Sequence, residues 1–208
     1  MHTHTSNPSR TLTIFVVLYM LVFSVLALKQ GNTEFLMYAL VMVGFISATM
    51  LLHLRVRFTP TALWLLALWG FLHMAGGTIP INPIYTDPYR AASTPDDQPT
   101  AAVLYALRYF PNFLRYDQIV HTVGFFSATV ACYEATRTLL NARRTFALAC
   151  IAALMGIGLG ALNEVIEFIA VLTIPDTNVG GYQNTAWDLV ANTVGSTLAG
   201  AWSITRKL

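Results

Sequence analysis

Charged side chains are scarce in this chain of 208 residues: Asp, Glu, Lys and Arg account for 11% of it. A soluble domain carries about 25%. Hydrophobic residues account for 55% of the chain, and its mean hydropathy is +0.57. These values exclude an ordinary soluble domain and predict an integral membrane protein. The net charge of +2, with no basic cluster larger than Arg143-Arg144, argues against a nucleic-acid partner.

Other features that would identify a function are also missing. The two cysteines, Cys132 and Cys150, form neither a disulfide framework nor a CxxC metal motif, and we expect free thiols. The chain has no P-loop, no dinucleotide-binding fingerprint and no serine nucleophile elbow. No internal repeat or low-complexity tract divides it. We therefore interpret residues 1–208 as a single polytopic membrane domain.

Six apolar segments are long enough to cross a hydrocarbon core of roughly 30 Å as helices. The first has about 18 residues, more than the roughly 7–15 of a signal-peptide core, so we interpret it as a retained helix. Gly31-Asn32 separates the first two segments, and Pro60 suits the first turn of the third. The prediction is an all-α, six-transmembrane-helix bundle with helices at Thr11–Leu28, Glu34–Leu54, Thr61–Gly77, Tyr116–Leu139, Thr145–Leu172 and Thr185–Ile204.

The distribution of basic residues predicts the orientation of the bundle. The amino terminus, the second and fourth loops and the carboxyl terminus hold eight of the twelve Lys and Arg residues. The other three loops hold the remaining four, alongside acidic residues that include Asp87, Asp96, Asp97 and Asp176. Both termini are therefore expected in the cytoplasm.

Polar side chains recur at one depth of the predicted bundle, in the outward turns of its third to sixth helices. A charged side chain in hydrocarbon costs roughly 2.5–3.5 kcal/mol on insertion scales, so retained ionisable residues usually have a function. The candidate catalytic residues are Asp117, His121, Glu164, Glu167 and Asp188; these five and His73 are the candidate metal ligands, with Asn163, Asn184 and Asn192 as supporting polar residues.

The spacing of these residues suits metal or acid–base chemistry. Asp117 and His121 are four residues apart on one helix face, where a carboxylate can fix the tautomer of an imidazole. Glu164 and Glu167 are three apart and repel each other unless a cation or a shared proton lies between them. Structural explanations stay open, because an acid at a helix start favours the macrodipole and buried carboxyls can simply pair.

Small residues predict where the helices pack closely. Gly195 lies on the same face of its helix as Asp188 and Asn192. We expect the backbone of a neighbouring helix to pack closely against it. Gly156 and Gly160, at GxxxG spacing, predict a close-packing seam.

Three segments near the predicted site are expected to be irregular or interfacial. The end of the third helix, His73–Gly77, predicts flexible backbone beside a cavity. In the long loop that follows it, Tyr105–Phe110 predicts a short amphipathic helix that lies in the interface and covers the site. Gly180–Asn184 predicts a flexible polar turn directly above Asp188.

Four motifs together resemble the YjdF-like family of bacterial inner-membrane proteins over about residues 60–200, and more widely the VanZ-like group. VanZ-like chains commonly have Glu-x-x-Gln where this chain has two glutamates, which favours the former family. The resemblance implies a multi-pass protein of the bacterial inner membrane and supplies no substrate. The motifs are Leu72-His73-Met74-Ala75-Gly76-Gly77, Tyr116-Asp117-x-x-x-His121, Asn163-Glu164-x-x-Glu167 and Gly181-x-x-Asn184-x-x-x-Asp188-x-x-x-Asn192-x-x-Gly195.

Three functions are compatible with the sequence. The leading hypothesis is a membrane-embedded enzyme whose acidic, His-containing pocket faces the extracytoplasmic leaflet and acts on a lipid or lipid-linked substrate, with or without a divalent metal such as Mg, Mn, Fe or Zn. The first alternative is a small transporter or a proton- or cation-coupled permease. Against it stand the small number of helices, which a homo-oligomer would offset, and the expectation that no polar residues continue into the cytoplasmic half. The second alternative is a structural or accessory protein with paired buried carboxyls. Membrane lipids are expected partners in all three.

Overall fold

Six long helices account for most of the residues that the structure describes. It is a computed structural model that describes residues 9–86, 102–110, 113–175, 177 and 179–205. All six predicted segments are helical, with ends within three residues of the prediction: α1 Arg10–Gln30, α2 Thr33–Val56, α3 Pro60–Thr78, α4 Tyr116–Leu139, α5 Phe146–Thr173 and α6 Tyr182–Thr205. Some residues used to predict the orientation lie outside the described residues, namely Asp87, Arg90, Asp96, Asp97, Asp176, Arg206 and Lys207.

Short polar side chains begin four of these helices. Ser9, Asn32, Thr59 and Thr145 each accept a hydrogen bond from the backbone N–H three residues further on, which satisfies one of the donors that a helix start leaves without a partner. Gly31 ends α1 in the left-handed conformation, with φ of 64°. The break predicted between the first two segments is therefore confirmed.

Helix α4 lies at the centre of the bundle and packs against α2, α3, α5 and α6. Helix α6 approaches it closely because Gly195 has no side chain; a Cβ there would meet the carbonyl oxygen of Thr122. Gly156 and Gly160 of α5 face side chains of α4 and α6, so the predicted seam is confirmed at these two positions. Gly158 has nothing within 4 Å of the place a Cβ would occupy.

Three of the described helices, α1, α2 and α5, are long and apolar enough to cross a membrane. Helices α4 and α6 are each 24 residues long, but their composition is more polar. The difference arises from buried polar side chains on α4 and α6, among them Asp117, His121, Asp188 and Asn192. Helices α4 and α6 therefore have a lower hydropathy than α1, α2 and α5, because they carry polar residues that are buried inside the bundle.

The chain between α3 and α4 does not contain the predicted amphipathic helix at Tyr105–Phe110. Leu104–Ala106 forms one 3-10 turn, after which β1 (Arg108–Phe110) pairs antiparallel with β2 (Phe113–Arg115). Backbone hydrogen bonds also join this segment to the residues after α3. Because neighbouring chain supplies these partners and the Tyr105 ring packs inward, the segment adopts an extended path rather than a helix.

The end of α3 is also more regular than predicted. The helix continues through Gly76 and Gly77 to Thr78, and all three residues are buried. A Cβ at Gly76 would meet the ring of Tyr105, and one at Gly77 would meet the ring of Phe35. The two glycines make room for aromatic rings here; they do not provide flexible backbone.

Replacing Gly195 by Ala is expected to lower the free energy of unfolding by about 1–3 kcal/mol, because the α4 backbone has to move away. The matched control Gly158→Ala has open space and gains helix propensity, so it should be neutral or stabilising by up to about 1 kcal/mol. Thermal unfolding of the detergent-purified proteins compares the two. Equal midpoints would contradict the close approach of α4 and α6.

Candidate functional site

Five ionisable side chains from three helices meet at one end of the bundle. Asp117 and His121 lie in the first two turns of α4, Glu164 and Glu167 lie near the end of α5, and Asp188 lies in the second turn of α6. The structure brings all five predicted catalytic residues together, because α5 runs opposite to α4 and α6. Four of them are buried, and Glu167 is partly buried.

The imidazole of His121 occupies the middle of this cluster. Its Nε2 lies 3.5 Å from Asp117 Oδ1 and 3.8 Å from Glu167 Oε1. Its Nδ1 lies 3.6 Å from Glu164 Oε1. Asp188 completes the surroundings, since one of its oxygens lies within 4.8 Å of the ligand atoms of Asp117 and His121. One ring therefore faces carboxyls from three helices.

Asn192 accepts a hydrogen bond from one nitrogen of this ring. The amide oxygen of Asn192 lies 2.9 Å from His121 Nδ1, and an amide oxygen can only accept a hydrogen bond. The Asn192 nitrogen donates to Glu164 Oε1 at 3.4 Å. This arrangement places a hydrogen on Nδ1, so Nε2, which faces Asp117 and Glu167, is the ring nitrogen open to a further proton or to a metal ion. In metal-binding histidines, the ring nitrogen that does not bind the metal commonly donates a hydrogen bond of this kind.

Asn184 joins the connecting loop to two of the carboxyls. Its amide nitrogen donates to Asp117 Oδ2 at 3.1 Å and to Asp188 Oδ2, and its oxygen accepts from the Arg115 guanidinium. The sequence placed Asn184 in a flexible turn, but α6 begins at Tyr182 and Asn184 lies one turn before Asp188. The third predicted amide, Asn163, donates to Glu167 Oε1 at 2.8 Å.

Two carboxyl oxygens in the cluster are buried without a hydrogen-bond partner among the described residues, Glu164 Oε2 and Asp188 Oδ1. Leaving such an atom without a partner typically costs about 1–3 kcal/mol, and more for a charged group. The cluster also forms two groups of ligand atoms that could each hold a metal ion. Asp117, His121 and Asp188 form one, and His121, Glu164 and Glu167 form the other. The two groups share one imidazole.

His73 lies beside the cluster but in neither group of ligand atoms. Its Nδ1 is 2.6 Å from the Tyr105 hydroxyl, and the rings of Phe35, Tyr38, Trp69 and Tyr105 surround it with centroids within 6 Å. Burial raises the pKa of Tyr105 well above its usual value, so the hydroxyl keeps its proton and can donate. A role for His73 as a metal ligand stays a prediction.

Three residues near the site were not identified from the sequence. Tyr105 was assigned to an interfacial helix and Arg115 to the end of the long loop before the fourth helix, yet Tyr105 contacts His73 and Arg115 contacts Asn184. Glu34 is buried in the first turn of α2 and lines a cavity of about 30 Å³ with Asp117 and others. The one sequence signal for Arg115 was its position two residues before Asp117; the other two required the tertiary structure.

Polar side chains also continue into the other half of the bundle, contrary to the prediction. Ser127, Thr129 and Ser196 are fully buried there, and Glu134 accepts hydrogen bonds from the backbone and hydroxyl of Thr59. The sequence did not reveal them because single hydroxyl residues in an apolar helix are common. Thr129 Oγ1 and Ser196 Oγ have no hydrogen-bond partner among the described residues.

The fold and the site define a helical membrane protein with a buried cluster of carboxyls around a histidine. The chain belongs to the family described as "Predicted membrane protein (DUF2238)", whose sequence model matches residues 10–207. No curated protein and no solved structure matches the chain. The more specific resemblance to the YjdF-like family and the VanZ-like group stays a prediction from the motifs.

Replacing Asn184 by Ala is expected to destabilise the protein by about 1–3 kcal/mol, because Asp117, Asp188 and Arg115 each lose a hydrogen bond in a buried site. The neighbouring exposed residue provides the control: Gln183→Ala should change stability by less than about 0.5 kcal/mol. Thermal unfolding in detergent measures both. A tolerant Asn184→Ala variant would show that the amide does not hold the two acids together.

Proposed function

We propose that the chain crosses the bacterial inner membrane six times, with both termini in the cytoplasm. Helices α1, α2 and α5 have sufficient apolar length, and the polar side chains of α4 and α6 face one another inside the bundle, where a membrane protein tolerates them. The distribution of Lys and Arg supports this orientation. In it, the carboxyl cluster lies on the extracytoplasmic side.

The function that the cluster supports best is that of a membrane-embedded enzyme with a divalent cation at its centre. The observation that carries this proposal is the pair of buried oxygens without a partner, Glu164 Oε2 and Asp188 Oδ1, on carboxyls grouped around one imidazole. Several carboxylates in a region of low dielectric repel one another and lack solvation. A cation among them would satisfy the free oxygens and neutralise the repulsion.

The ligand set favours a hard or borderline divalent ion. Carboxylate oxygens with one imidazole suit Mg, Mn, Fe or Zn, and Nε2 of His121 is the ring nitrogen that Asn192 leaves available to a metal. An ion bound there would polarise a substrate oxygen or activate a water molecule. A carboxylate not used as a ligand, such as Glu167 with its hydrogen bond from Asn163, would then be available as a general base.

The location of the site supports one class of substrate. The cluster lies near one end of a bundle whose outer surface is apolar, so a reacting group must come within reach from the membrane or its surface. A lipid or a lipid-linked compound meets that condition because its chain stays in the bilayer while its polar end reaches the site. We therefore propose such a compound as the substrate.

A proton or cation relay is the second candidate function, favoured by one specific observation. The buried hydroxyls of Thr129 and Ser196 lie deeper than the cluster, have no partner among the described residues, and both face Gly156. Polar groups of this kind could extend a path from Asn192 toward the other side of the membrane. A relay requires a flux of protons or cations across the membrane, whereas an enzyme does not.

Purified wild-type protein is expected to hold a near-stoichiometric divalent metal, measured by elemental analysis. The double variant Glu164→Gln/Asp188→Asn removes one carboxylate from each ligand group at nearly constant shape, and its metal content should fall at least about tenfold, equivalent to ~1.4 kcal/mol. Glu134→Gln is the matched control, since it changes a buried carboxyl outside the cluster and should retain the metal.

Unfolding in the presence of a chelator gives a second readout of the same variants. Without metal, the double variant should unfold at a higher temperature than the wild type, because it has fewer repelling acids. With added metal, the order should reverse through binding to the native state. A well-folded wild type without metal, and without stabilisation by Mg, Mn, Fe or Zn, would contradict the metal-dependent enzyme.

The orientation has its own test, cysteine labelling of intact cells. In a Cys132→Ala/Cys150→Ala background, Gln183→Cys places a thiol at an exposed position beside the cluster, and a membrane-impermeant maleimide should label it from outside. Leu140→Cys, at the opposite end, should react only after permeabilisation. The reverse pattern would place the cluster on the cytoplasmic side.

A further inference from the structure

A large apolar groove lies on the side of the bundle, between α2 and α5, and has a volume of about 630 Å³. Its walls include Phe45 and Leu52 of α2 and Leu159 of α5, and its floor includes Phe125 and Ala128 of α4. Of the described residues that line it, none carries a charge. Ligand pockets usually measure about 300–1,000 Å³, so the groove has the size of a binding site.

The groove opens where the surface faces lipid. α2 and α5 are two of the helices apolar enough to cross a membrane, and both have exposed large side chains, such as Leu51 and Leu154. Helix α2 packs against α1, α3 and α4, whereas α5 packs against α4 and α6, so the space between α2 and α5 exposes α4 at its floor. From Gly124 to Leu140 the floor extends for roughly 24 Å at 1.5 Å per residue.

A small cavity, here called the neck, lies between this groove and the carboxyl cluster. The neck has a volume of about 20 Å³, shares Phe45, Trp69, Asn163 and Ile166 with the groove, and also contacts Glu167. Such a space is about large enough for one water molecule. Asn163, which donates to Glu167, is the one amide among the described groove-lining residues and lies at the end of the groove nearest the site. The apolar groove and the polar cluster are therefore neighbours that share wall residues.

The indole of Trp69 separates the two spaces. Its ring stacks on His73 with centroids 5.8 Å apart and lies 6.5 Å from the ring of Phe45. It occupies space left by Gly124, where a Cβ would lie 2.5 Å from the indole nitrogen. A polar head group can pass from groove to cluster only if Trp69 or Phe45 turns aside.

We propose that the groove binds one hydrocarbon chain of a membrane lipid, whose polar end meets Asn163 and Glu167 at the neck. This proposal rests on the enzyme function above and names the route by which its substrate arrives. The lipid enters sideways from the bilayer between α2 and α5. Its chain covers the apolar floor on α4, which at roughly 24 Å is longer than one leaflet of roughly 15 Å. The end near Gly124 places the head group at the carboxyls.

Photo-crosslinking in vesicles tests this directly. The probe is a phosphatidylethanolamine with a diazirine midway along one acyl chain, present as a minor component of vesicles that contain the wild-type protein. Because α4 is central, Ala128 and Ala131 on the groove floor are within reach of a chain that lies inside the groove. We expect label on peptides that contain Ala128 and Ala131, as well as on the lipid-facing side of α1 around Leu18.

Variants that fill the groove provide the control for location. Ala128→Trp should reduce label on α4 by at least about tenfold, which corresponds to ~1.4 kcal/mol in binding, and should leave label around Leu18 unchanged. Ala48→Trp fills the groove from the exposed side of α2 and should have the same effect, so the result does not depend on one variant folding. Absence of label from α4 in the wild type, or label unaffected by both variants, would overturn the proposal.

The same experiment separates this proposal from the metal-dependent function. Glu164→Gln/Asp188→Asn should lose metal but keep the label on α4, because the chain contacts the groove and not the carboxyls. Metal retention with no label on α4 would overturn the lipid groove alone. Label on α4 in a protein that binds no metal would leave the groove in place and remove the metal-dependent function.

Discussion

The rest of the structure depends on the burial of several carboxyls around one imidazole. A charge removed from water is costly unless partners replace the solvent, and here some of the partners come from other helices. Asn184 and Asn192 on α6 and Asn163 on α5 supply amides, and Arg115, just before α4, donates to Asn184. Asn184 reaches Asp117 and Asn192 reaches Glu164 only because the helices lie close together. The electrostatics of the site and the packing of the bundle are therefore a single constraint.

The small residues of α5 and α6 meet that constraint. Gly195 lets α6 contact the backbone of α4 one turn beyond Asn192, and Gly160 leaves room for the Asn192 side chain itself. A larger residue at either position would move Asn192 away from His121 and weaken the hydrogen bond between them. Small residues that pack the helices thus also hold a hydrogen-bond partner of the central histidine in place.

Much of the fold could be predicted from the sequence, because apolar length and turn residues are local properties. The six helices follow from such patterns, and the common depth of the polar residues follows from alternating helix directions. Some residues of the site could not be predicted from the sequence. Tyr105 reaches His73 through a segment whose extended path depends on backbone partners beyond α3, and no local pattern reveals such partners. The start of α6 at Tyr182 brought Asn184 into the helix, although the glycines before it indicated a turn.

The two ligand groups meet in His121, and this has a consequence for stoichiometry. With Nδ1 engaged by Asn192, the ring offers one nitrogen, so an ion that takes it from the Asp188 side denies it to the Glu164 side. In the metal-dependent function proposed above, the two groups would therefore be alternative positions for one ion, and a metal titration would saturate at a single ion although the cluster has carboxyls enough for two.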